Sequence, residues 1–83
     1  MDVVLSKNAT KQFNRLPKTE QSKIRKKLII LKEDPYSGKQ LSGNLNGLFS
    51  FKTWPFRIIY EINKKKKRVE VSKIAHRQGA YRN

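Results

Sequence analysis

The sequence has no cysteine and one histidine, His76. That excludes a disulfide framework and a cysteine-based zinc site, and leaves too few ligands for a metal held by histidines. Acids are scarce as well: six Asp and Glu in 83 residues, scattered, are too few to hold Mg²⁺ in a two-metal site. No apolar run approaches the ~20 residues that span a bilayer. The opening Met1-Asp2-Val3-Val4-Leu5-Ser6-Lys7 lacks the basic and long apolar regions of a secretory signal. A phosphate-binding P-loop, a dinucleotide fingerprint and a Gly-x-Ser-x-Gly elbow are all missing. The expectation is a cytoplasmic protein with no membrane segment, no metal and no cofactor.

What the chain has in abundance is positive charge. Twenty Lys and Arg give a formal net charge of +14. Lys64, Lys65, Lys66, Lys67 and Arg68 form one run, yet without its five charges the chain still carries +9. Residues 1–34 hold nine basic and four acidic residues, and residues 35–83 hold eleven and two. The excess therefore belongs to the body of the domain and is heavier in its second half. Such a surface seeks polyanions. With 36% hydrophobic residues, including four Phe, three Tyr and one Trp, a core is still affordable. Length allows one domain, residues 1–83.

Asp2 to Ser6 reads as a short strand. Ser6 or Asn8 can cap a helix carrying Ala9, Phe13 and Leu16 on one face. Pro17 interrupts it and suits the first turn of a second helix, Lys18 to Glu33. That helix has a stripe of Ile24, Leu28 and Leu31, widened by Ile30, and ends at Asp34-Pro35. Residues 36–47 have the glycines and asparagines of a loop. Beyond them the period changes to two: Phe49 and Phe51, a turn at Thr53-Trp54-Pro55, then Phe56, Ile58, Tyr60 and Ile62. Arg68 to Ala75 makes a further strand behind the lysine turn. Two amphipathic helices on a small antiparallel sheet of three to four strands, an α+β fold, would hide both stripes.

If Thr53–Phe56 forms the hairpin loop, Lys52 lies opposite Arg57 and Ser50 opposite Ile59, and opposed residues share a face. The aromatic and aliphatic set would then face the helices, leaving Lys52 and Arg57 together on the open face. Like charges so placed repel, which is tolerable where an anion comes between them. The face of the last strand stays undecided, because Val69 and Val71 argue for one parity and Ile74 for the other. A five-residue turn would put Arg77 on the Arg57 face; a four-residue turn would not. Trp54, at the hairpin tip, is expected to cover the edge of the core.

His76, Arg77, Tyr81 and Arg82 follow within seven residues, after a strand. Metal-free RNA cleavage needs a base for the ribose 2′-OH, cations for the phosphorane oxygens and a donor for the 5′-oxygen. Lys, Arg, Tyr and His can cover all three tasks, and the planar fork of Arg can bond two phosphorane oxygens at once.

Three segments, Leu41-Ser42-Gly43-Asn44-Leu45-Asn46-Gly47-Leu48-Phe49, Phe56-Arg57-Ile58-Ile59-Tyr60-Glu61-Ile62 and Ala75-His76-Arg77-Gln78-Gly79-Ala80-Tyr81-Arg82, with Leu16-Pro17 between the helices, resemble the RelE/ParE toxin superfamily. The resemblance covers essentially the whole chain and implies a β-α-α-β-β-β order. It implies two activities: RelE-like members cleave mRNA in the ribosomal A site without a metal, and ParE-like members block DNA gyrase and cleave nothing. Carried over by motif, the RelE-like working groups fall on Lys52, Arg57, Arg77 and Tyr81. RelE has a second Lys where this chain has Ser50, and His76 is a candidate to substitute as base. Lys64, Lys65, Lys66, Lys67, Arg68 and Arg82 are the candidates for wider RNA contact. The expected reading is a ribosome-dependent mRNA endoribonuclease, monomeric when alone, with an acidic antitoxin encoded nearby. A gyrase inhibitor and a non-catalytic RNA-binding domain are the alternatives.

Overall fold

The computed structural model describes residues 1–45 and 47–76. The chain runs β1 (Asp2–Leu5), α1 (Lys7–Asn14), α2 (Lys18–Glu33), β2 (Lys39–Gln40), β3 (Phe49–Thr53), β4 (Phe56–Asn63) and β5 (Arg68–His76), with 3₁₀ turns at Pro35–Ser37 and Gly43–Leu45. Ser6 caps α1, its hydroxyl accepting the Ala9 N–H at 3.0 Å. Pro17 is the N-cap of α2, where a missing N–H costs no helical hydrogen bond. Asp34, held before Pro35, closes that helix.

The strands form one sheet in the order β1-β5-β4-β3-β2. It is larger than the sequence predicts, and mixed. β1 pairs parallel with β5, and Lys39–Gln40, inside the segment read as loop, pairs antiparallel with β3. A strand of two residues has no alternation to read. Both helices pack on one face of the sheet, over Ala9, Ile24 and Leu31. The sheet answers with Phe49, Ile58, Tyr60, Val69, Val71 and Ile74. Lys27 of α2 sets its ammonium 5.4 Å from the centre of the Phe51 ring, closing the rim of this core. Ile30 does not join it, being 42% exposed. It lies six residues beyond Ile24, which at 3.6 residues per turn carries it about 120° round the helix.

The conflicting parity of the last strand has a physical cause. Ile59 pairs with Lys73 but Tyr60 pairs with Val71, so Ser72 is an extra residue in β5. This β-bulge reverses the alternation between Val71 and Lys73. Val69, Val71 and Ile74 therefore all reach the helix face, although no uniform strand could place them there. The connecting turn has four residues, 64–67, since Asn63 pairs with Arg68. Asn63 accepts the Lys66 N–H at 3.0 Å to close it.

β1 is too short to cover the whole edge of β5, and α1 finishes the task. The Ser6 N–H donates to Val71 O at 2.8 Å, and the Ile74 N–H donates to the Gln12 side chain at 2.7 Å.

Candidate functional site

The hairpin register is the one the sequence predicts: Lys52 opposite Arg57 and Ser50 opposite Ile59. The turn is tighter than expected. Thr53 pairs with Phe56, leaving two residues, Trp54 and Pro55, joined by a cis peptide. Trp54 does not cover the core; it stands 57% exposed at the tip.

Two rows of side chains cross the face away from the helices. One row reads Lys52, Arg57, Ala75. The next reads Lys39, Ser50, Ile59, Lys73. Ser50 and Ile59 are each 4% exposed, so this second row has a buried centre with a lysine at either end. Ser37, Gly38, Lys39, Ser50, Phe51, Lys52 and Arg57 line a cleft of about 420 Å³. Three of these described residues, Lys39, Lys52 and Arg57, are cations, which makes this lining electropositive.

Toward the opposite end of the same face, next to the lysine turn, two carboxylates come together. Glu61 lies directly across from Glu70, and Arg68 donates from Nε to the Glu70 carboxylate at 2.7 Å. That hydrogen bond holds the Glu70 carboxyl below its usual pKa.

The structure brings together only some of the residues singled out in the sequence. Lys52 and Arg57 share the cleft. His76 pairs with Phe56, on the helix face, and its ring meets that of Phe56 edge-on at 6.0 Å. It stands at the Arg57 end of the sheet but on the other side. Lys64 to Lys67 and Arg68 sit at the far end of β4, seven residues from Arg57 or about 23 Å along the strand. Arg77, Tyr81 and Arg82 lie outside the described residues. Lys39 and Lys73 are additions that the sequence did not disclose. Lys39 gains its place through the pairing of β2, and Lys73 through the bulge.

A family model for the ParE toxin of type II toxin–antitoxin systems (parDE) matches residues 3–81. The chain belongs to this family. It is a toxin of a type II toxin–antitoxin system, within the RelE/ParE superfamily. No curated protein matches it significantly by sequence. Solved structures of the superfamily share its fold. The toxin–antitoxin complex RelBE2 from Mycobacterium tuberculosis matches with a TM-score of 0.84 at 23% identity, over 90% of this chain and 95% of that one. The archaeal RelE–RelB complex from Pyrococcus horikoshii matches with a TM-score of 0.79 at 25% identity, over 95% and 97%. A YoeB/ParE toxin from Agrobacterium tumefaciens matches with a TM-score of 0.79 at 21% identity, over 92% and 98%. Among the described residues, no helix of this toxin is long and apolar enough to cross a membrane.

Proposed function

We propose that this toxin is a ribosome-dependent mRNA endoribonuclease whose chemistry needs no metal. The observation that carries the reading is the cationic cleft, with Lys52 opposite Arg57 on the face away from the helices. A phosphodiester entering the cleft meets both cations at once. The ribose 2′-oxygen attacks the adjacent phosphorus as its proton leaves. The P–O5′ bond then breaks, giving a 2′,3′-cyclic phosphate and a 5′-hydroxyl. Arg57 stabilises the phosphorane oxygens through its bidentate fork. Lys52 holds the phosphate and is a candidate to help as base. Arg77 shields or protonates the leaving oxygen, and Tyr81 orients the nucleotide or assists proton removal; both roles come from the family resemblance. His76, on the helix side of the sheet, receives no role here.

The lysine run and Arg82 serve as a delocalised field toward ribosomal RNA. At about 23 Å from Arg57 the run is too distant to touch the same phosphate. An acidic antitoxin segment laid over Lys39, Lys52 and Arg57 would silence the cleft by occupying the place of the RNA backbone. Cytoplasmic location and a monomeric free toxin complete the proposal. The match to the ParE family model favours a second reading, inhibition of DNA gyrase without cleavage. Incubating the toxin with programmed ribosomes, and separately with gyrase and supercoiled plasmid, tells the two apart. Undiminished mRNA cleavage by both Arg57→Ala and Tyr81→Phe would sink the catalytic assignment.

A further inference from the structure

Lys39 has no catalytic part in the mechanism above. Yet β2 sets it directly opposite Ser50, on the same face as Lys52 and Arg57 and in the same cleft. Ser50 and Lys52 are two positions apart along β3, so the rows they define are separated by about 6.6 Å. That is comparable with the span from one phosphate to the next along an RNA strand. The two rows therefore fit two successive phosphates better than a single one.

A strand of two residues at the edge of a sheet is a weak support for a binding residue, and the structure reinforces it. The buried Tyr60 hydroxyl donates to Pro35 O at 2.7 Å and accepts the Gly38 N–H at 3.0 Å. The Phe49 ring stacks on Tyr60 at 5.3 Å and meets Tyr36 edge-on at 5.9 Å. The segment leading into Lys39 is thus clasped to β4 beneath the cleft, before any ligand arrives. Ordering it in advance removes that entropic cost from binding.

We propose that Lys39 binds the phosphate next to the one held by Lys52 and Arg57, making the cleft a two-phosphate RNA site, with Tyr60 as the positioning residue for Lys39. The assignment rests on the RNA reading of the cleft. Its probe is a fluorescein-labelled oligouridylate, 2′-O-methylated throughout so that it cannot be cleaved, followed by anisotropy over a range of KCl concentrations. Lys39→Met should flatten the slope of log affinity against log salt by about 0.7, the loss of one single-strand phosphate contact. Lys39→Arg should keep the wild-type slope. Lys18→Met, at the exposed start of α2, should move it much less. Tyr60→Phe should reproduce at least half of the affinity lost in Lys39→Met while its circular dichroism remains native. Should Tyr60→Phe melt at the assay temperature, the Lys39 variants decide the question.

Equal slopes for Lys39→Met and Lys18→Met would overturn the second phosphate contact. Wild-type affinity in folded Tyr60→Phe would overturn the positioning role. Lys52→Met separates these failures from failure of the RNA reading. If Lys52→Met loses a contact and Lys39→Met does not, only the two-phosphate assignment falls. If both behave like Lys18→Met, the cleft does not bind RNA.

Discussion

Lys52 and Arg57 stand directly opposite each other across β3 and β4, on the face away from the helices. Two like charges in that relationship repel each other, and under the proposed function a ligand phosphate is what calls for both. Stability and activity should therefore part company here. Lys52→Thr removes the repulsion and adds a residue that favours strands. It should raise the free energy of unfolding by about 0.2–1 kcal/mol, and the gain should shrink as salt screens the charges. Urea unfolding at low and high salt measures both. Cleavage of mRNA by the same variant should fall.

Tyr60 and Gly38 are matched in size as well as hydrogen bonding. A Cβ at position 38 would stand 2.5 Å from the Tyr60 hydroxyl oxygen and 3.0 Å from Ser50 O. Gly38→Ala should cost about 1–3 kcal/mol through overpacking. Tyr60→Phe should cost about 1–3 kcal/mol by leaving Gly38 N–H and Pro35 O without their partner. Removing the hydroxyl relieves part of the clash, so the double variant should lose at least about 0.5 kcal/mol less than the sum. Strict additivity in chemical denaturation would show that the clash does not limit the site.

Burial raises the Tyr60 phenol above its ordinary pKa of 10.0, and the charge of Asp34 adds to this, while the Gly38 N–H works the other way. The folded chain thus holds the phenolic proton more tightly than the unfolded chain. The resulting stabilisation is complete below the ordinary value of 10.0 and is lost as pH rises through the folded-state value. The stability gap between wild type and Tyr60→Phe should therefore narrow above pH 10, roughly where an unfolded tyrosine ionises. A gap that stays constant through that range would contradict the assignment.

Deleting Ser72 removes the bulge. The chain must then send either the Val69–Val71 half of β5 or the Ile74 half to the wrong face, because a one-residue slip inverts the alternation. The deletion variant should lose its cooperative thermal transition. Replacing Ser72 by Ala leaves the count of residues intact and should keep that transition.

The hairpin was legible because two strands with a period of two, broken only at Ile59, Phe49–Thr53 and Phe56–Asn63, meet at a single turn. That geometry makes Lys52 face Arg57 for any turn centred on Trp54–Pro55. The helices were legible from Ser6, Pro17 and Asp34-Pro35, which act on the local backbone. What escaped was set by contacts between distant segments. β2 exists only because Lys39 and Gln40 find β3, and that pairing brings its cation to the cleft. The bulge left its trace as a clash of parities between Val71 and Ile74, a signal that announces an irregularity without saying where it falls. His76 followed the reversed alternation to the helix face, across the sheet from Lys52 and Arg57.

The most direct test of the proposed activity is cleavage of mRNA on programmed ribosomes in the presence of a chelator that leaves the ribosomes intact. Wild-type toxin should cut within the A-site codon, leaving a 2′,3′-cyclic phosphate. Arg57→Ala should slow single-turnover cleavage by about 10²-fold or more, the loss typical of removing one group that stabilises developing charge. An uncut message with the wild-type toxin, or an unchanged rate with Arg57→Ala, would contradict the account.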